Sequence, residues 1–157
     1  MVKKLLIGVV ALIAAGAAVA YIQRSEITLV IVEKVANKRM QDPLITLSDG
    51  LHVGLCGTGS PFPDPDRAAP CTLVIAGKDM FLFDAGSAAA KQISTMGFST
   101  GQLKGVFVTH FHSDHIDGLG EVLMTRWAQH TEGQRLTVHG PTGISAVLDG
   151  FKTAYTA

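Results

Sequence analysis

Residues 106–119 constrain this chain more than any other segment, reading Val-Phe-Val-Thr-His-Phe-His-Ser-Asp-His-Ile-Asp-Gly-Leu. A short apolar run suited to a buried strand leads straight into three histidines and an aspartate within six residues. Helical apolar spacing follows. Imidazole nitrogen and carboxylate oxygen are the donors that zinc and related ions prefer. In an extended stretch, positions two apart project the same way, so His110 and His112 can grip one ion. Asp114 and His115 follow at the turn and face elsewhere, within reach of a second ion about 3.5–4 Å away. Given 6 histidines in 157 residues, the pattern H-x-H-x-D-H arises by chance in about one such sequence in two thousand. Singly, Asp114 would read as a helix cap and each histidine as a polar loop residue. Together, His110, His112, Asp114 and His115 read as metal ligands.

The surrounding pattern is that of a layered α/β domain. Strands are expected at 51–56, 106–109 and 136–139, and a hairpin at 71–76 and 80–84 turning at Gly77-Lys78-Asp79. Helices are expected at 87–96, with Ser87 as its cap, at 116–129 and at 144–155. The stretch Gly57-Thr58-Gly59-Ser60-Pro61-Phe62-Pro63-Asp64-Pro65 can only be a loop. Cys56 and Cys71 allow at most one disulfide and read as small apolar core residues.

The first forty residues have a different character. Lys3-Lys4 precedes an uncharged apolar stretch at residues 5–22, and Ala18-Val19-Ala20 offers a small-residue cleavage site. An uncleaved membrane anchor is the first reading and a cleaved signal peptide the second. Residues 27–40 have amphipathic helical spacing with Lys34, Lys38 and Arg39 in the last turn, ended by Gln41-Asp42-Pro43. Such a helix suits either an anionic membrane surface or packing on the domain. The zero net charge is split: residues 1–40 hold six basic and two acidic residues, a net of +4, and residues 41–157 hold seven and eleven, a net of −4. That balance gives no sign of a strongly basic nucleic-acid binder. Three regions follow: 1–22 as anchor or signal, 23–43 as linker helix, and 44–157 as the domain.

The histidine segment resembles the signature of the metallo-β-lactamase superfamily. Phe83-Asp84-Ala85-Gly86 is similar to that family's strand-end Asp-x-Gly, which implies that Asp84 buttresses the metal loop. Leu55-Cys56-Gly57-Thr58-Gly59-Ser60-Pro61 with Arg67, and Val138-His139-Gly140-Pro141, resemble the ribonuclease Z branch. Gly118-Leu119-Gly120 departs from that branch's Gly-Leu-Pro. The resemblance covers residues 51–157 and implies the N-terminal half of a four-layer αββα fold, here preceded by a hydrophobic helix. It also implies zinc, two ions in a complete protein, with manganese or iron as substitutes. The family's further ligands lie downstream. After His115 only His130 and His139 remain, both read as non-ligands, as is His52.

The resemblance implies a metal-dependent hydrolase in which Asp114 ligates and orients the attacking water. A phosphodiester or sulfate ester ranks first as substrate, a tRNA 3′ end second and a lactam third. A metal-binding piece without turnover is the competing reading. The expected partners are a small ester and, through the N-terminal helix, a membrane, with nucleic acid ranked lower. The expected location is membrane-anchored, with the domain periplasmic or extracellular, or secreted if the signal is cleaved.

Overall fold

A computed structural model describes residues 42–129 and 135–156 throughout and, before them, residues 6, 8, 12–14, 16–19, 21, 24 and 28–34. The chain divides into two compact units, Met1–Gln41 and Asp42–Ala157. In the first, the described residues are helical and exposed. Among the described residues, no helix is long and apolar enough to cross a membrane, so the structure lends no support to the expected anchor helix. The rest of the 5–22 stretch lies outside the described residues, as do residues 27 and 35–40 of the expected amphipathic helix.

The second unit opens with α1 (Pro43–Thr46). Whether Gln41-Asp42-Pro43 ends the preceding helix lies outside the described residues; Asp42-Pro43 itself starts a helix. The Asp42 carboxylate accepts the Leu44 N–H at 2.9 Å, and proline, which lacks an N–H, suits the first turn. Five strands then form one sheet in sequence order: β1 (Leu51–Gly57), β2 (Cys71–Ala76), β3 (Asp79–Phe83), β4 (Leu103–Phe107) and β5 (Thr137–His139). The first two pairings are antiparallel and the last two parallel. Gly77, at φ 62°, makes the expected hairpin turn. Between β3 and β4 runs α2 (Ala89–Thr95); after β4 come α3 (Ser113–Ile116) and α4 (Leu119–Gln129), and α5 (Ile144–Tyr155) closes the chain.

Several boundaries differ from expectation. Strand β4 begins at Leu103, because its parallel register with β3 pairs Leu103 with Met80 and, after a shift that skips Lys104, Gly105 with Phe81. Ser87 does not cap α2; the cap position is Ala88, in left-handed conformation at φ 67° and without a side-chain hydrogen bond. The single helix expected at 116–129 is split in two at Asp117-Gly118. Cys56 and Cys71 are buried as expected but are joined in a disulfide, their Cα atoms 5.0 Å apart across the bulged end of the β1–β2 ladder.

The core lies on one face of the sheet. Leu73, Ile75, Met80, Leu82, Leu103 and Val106 pack with Ile93 of α2 and with Leu119 and Val122 of α4. The buried Arg126 of α4 donates through Nε to the Leu103 carbonyl at 3.1 Å, and burial pushes its guanidinium below its ordinary value. The opposite face is apolar too. Val53 pairs with Val74 and Val74 with Phe81, while Phe83, Phe107 and His139 stack in sequence at centroid distances of 4.9 and 4.7 Å. Leu51, Val53 and Leu55 on this face are more than half exposed. Among the described residues, the helices of this unit pack on the core face of the sheet, while Leu51, Val53 and Leu55 leave the other face exposed and apolar.

Candidate metal-binding site

The site is built at the end of β3 and β4. Asp84 follows β3 with φ 57°, a left-handed conformation that aspartate tolerates better than most residues. Its buried carboxylate is the hub. Oδ1 accepts the Thr109 N–H at 2.8 Å, both oxygens lie within 3.0 Å of the Thr109 hydroxyl, and Oδ2 accepts from His115 Nδ1 at 2.8 Å. The backbone closes the same junction. The Asp84 N–H donates to the Phe107 carbonyl, the Ala85 N–H to that of His115, and the Gly118 N–H to that of Ala85. A Cβ on Gly86 would stand 2.1 Å from the Asp114 carbonyl oxygen, and one on Gly118 would stand 2.1 Å from that of Gly86. Only glycine permits these approaches, and the crossing at Gly118 is what splits the expected helix.

This hub orients two imidazoles. His115 donates through Nδ1 to Asp84, so Nε2 carries the free lone pair. Thr109 spends its hydroxyl proton on Asp84, so the 3.0 Å contact with His110 Nδ1 is a bond donated by His110, which frees His110 Nε2 as well. One carboxylate thus sets both tautomers, directly and through Thr109. Thr109 was not singled out from the sequence, and only its place beside the motif could have suggested it.

The structure brings all four expected ligands together. The His110 ring centroid lies 4.5 Å from that of His112 and 4.0 Å from that of His115, and His115 Nε2 lies 3.5 Å from Asp114 Oδ2. Asp114 is buried, and its Oδ1 has no hydrogen-bond partner. A buried carboxylate oxygen without a donor is unfavourable unless a cation meets it. That orphaned oxygen, with two free imidazole nitrogens nearby, fits a divalent ion. Among the described residues, no group of three or more His, Cys, Asp or Glu is arranged to hold an ion, so the four side chains are neighbours without forming a metal cage.

An open cleft of about 590 Å³ adjoins Asp114. Its walls are residues 60–65 and 67–69 of the β1–β2 loop, together with Ser87, Ala88, Ser113 and Asp117. Arg67 is the one cation among these lining residues, and its Nε lies 3.8 Å from Asp64. His139 stands apart, stacked on Phe107, and His52 bonds the Ser48 carbonyl at 2.9 Å. His130 lies outside the described residues.

Ribonuclease Z of Mycobacterium marinum is 42% identical over 107 residues, covering 67% of this chain and 38% of the relative. Ribonuclease Z of Mycolicibacterium gilvum is 40% identical over 108 residues, covering 68% and 38%. The human tRNase Z short form superposes with a TM-score of 0.60 at 28% identity, covering 66% of this chain and 40% of that one. The metallo-β-lactamase-fold protein YhfI of Bacillus subtilis, at 24% identity and a TM-score of 0.55, shares the fold. The chain therefore spans about two fifths of the length of the relatives it matches. Fold, buttress and histidine loop define a ribonuclease Z-like member of the metallo-β-lactamase superfamily of hydrolases. Within it, the model of the family described as Anti-Pycsar protein Apyc1 matches residues 51–145, and the chain belongs to that family.

Proposed function

We propose that this chain is the metal-gripping portion of a hydrolase that cleaves phosphodiesters, with an RNA 3′ end favoured among them. The observation that carries the reading is the Asp84 hub, which fixes the His110 and His115 rings beside a buried carboxylate: His115 Nε2 lies 3.5 Å from Asp114 Oδ2, and Asp114 Oδ1 has no hydrogen-bond partner. The relatives named ribonuclease Z support the phosphodiester. The sulfate-ester reading rests on resemblance alone and ranks below it.

His110, His112, Asp114 and His115 would hold the ion, zinc first by donor type. A bound ion supplies a Lewis acid and lowers the pKa of a water. The chain's own residues do the rest. Asp84 and Thr109 hold the imidazoles in one tautomer, Asp114 orients the attacking water, and Arg67 offers the cleft a positive charge for an anionic ester.

The test is a chimera joining residues 42–157 to the downstream portion of the Mycobacterium marinum relative. It should cleave bis(p-nitrophenyl) phosphate and a 3′-extended tRNA with added zinc, lose both activities on His112→Ala, and leave p-nitrophenyl sulfate intact. Faster turnover of the sulfate would contradict the proposal.

A further inference from the structure

The loop between β1 and β2 is built to hold its shape. The Cys56–Cys71 disulfide closes its base. Just inside, the Gly59 N–H donates to the Ala68 carbonyl at 2.7 Å. A Cβ on Gly57 would collide with the Ala69 carbonyl oxygen at 1.8 Å, so the two backbones are in tight contact. Pro61, Pro63 and Pro65 stiffen the tip, and Asp64 caps it by accepting the Asp66 N–H at 2.9 Å. On this braced tip, Phe62 is 79% exposed, more than any other large apolar side chain among the described residues. It stands clear of the core and lines the cleft that Asp114 also lines.

We infer that Phe62 is a stacking platform for the ring of the substrate, a nucleobase next to the scissile phosphoester. The inference rests on the phosphodiester reading of the cleft. A rigid aromatic face loses little conformational freedom when a base stacks on it, and any base offers a π-face. Phe62 is therefore a specificity-determining residue: it selects esters that carry a ring over esters that do not.

The test measures binding to the chain itself, with zinc present, by ligand-observed NMR of adenosine 5′-monophosphate and ribose 5-phosphate. These probes share the phosphate and sugar and differ in the base. The parent chain should hold the nucleotide about 5- to 100-fold more tightly. Phe62→Ala should bring the two affinities within about twofold, with ribose 5-phosphate unchanged, and Phe62→Trp should restore the preference. Trp127→Ala, which removes an equally exposed aromatic side chain that does not line the cleft, should leave it intact. A preference that survives Phe62→Ala, or equal affinities in the parent, would overturn the platform and leave the hydrolase reading standing. Binding of neither probe would overturn both.

Discussion

Replacing Asp84 should weaken the fold before any metal is considered. Its carboxylate accepts from the Thr109 N–H, the Thr109 hydroxyl and His115 Nδ1 while buried beneath the loop. Each hydrogen bond to an ionised acceptor contributes about 1.5–3 kcal/mol, but the losses do not add fully, because the Thr109 hydroxyl can turn to water. Alanine at φ 57° costs about 1 kcal/mol more, since it tolerates left-handed backbone poorly. Asp84→Ala should thus lose about 3–5 kcal/mol, a large part of the stability of a domain this size. Asparagine keeps the backbone tolerance and one acceptor for the Thr109 N–H, so Asp84→Asn should lose about 1.5–2.5 kcal/mol. Chemical denaturation followed by circular dichroism, in chelator, reads both values. On adding zinc, affinity in Asp84→Asn should fall a further 10- to 100-fold, because His115 is no longer held in one tautomer. Asp84→Asn within about 0.5 kcal/mol of the parent would refute the hub, and so would Asp84→Ala no worse than Asp84→Asn.

Reducing the Cys56–Cys71 bond, or replacing both residues with serine, releases a loop with a sequence separation of 15. Stability should drop by about 3 kcal/mol on the loop-entropy account, read as a lower denaturation midpoint; an unchanged midpoint would speak against the pairing. The bare sheet face should bind the dye ANS, and Val53→Glu should reduce that fluorescence with little change in melting temperature, since Val53 is 61% exposed.

The sequence carried the chemistry well where it is local. The hairpin turn at Gly77 and the helical spacing of α4 and α5 follow from residue type and spacing. The four donors came together because strand, turn and helix place them within six residues. What was not legible depends on contacts between distant segments. Cys56 and Cys71 allowed one disulfide but read as core residues, since only the bulged β1–β2 register brings their Cα atoms to 5.0 Å. Gly118 looked like an ordinary helical residue, and its role appears only where the Gly86 carbonyl crosses it. Thr109 read as the end of a strand, because the Asp84 carboxylate that it bonds lies 25 residues away in the chain. Ser87 looked like a helix cap because serine commonly is one, yet the chain turns through Ala88 instead.

The central claim is that His110, His112, Asp114 and His115 form one partial metal site and that His139 stands outside it. Zinc titration by calorimetry on the parent, His112→Ala and His139→Ala tests this most directly. The parent should bind less than one tightly held zinc per chain, because no group of three or more donors among the described residues is arranged to hold an ion. His112→Ala should abolish the binding that remains, while His139→Ala, which removes a ring stacked on Phe107, should leave it unchanged. Two tight zinc ions in the parent, or equal loss of binding in both variants, would contradict the account.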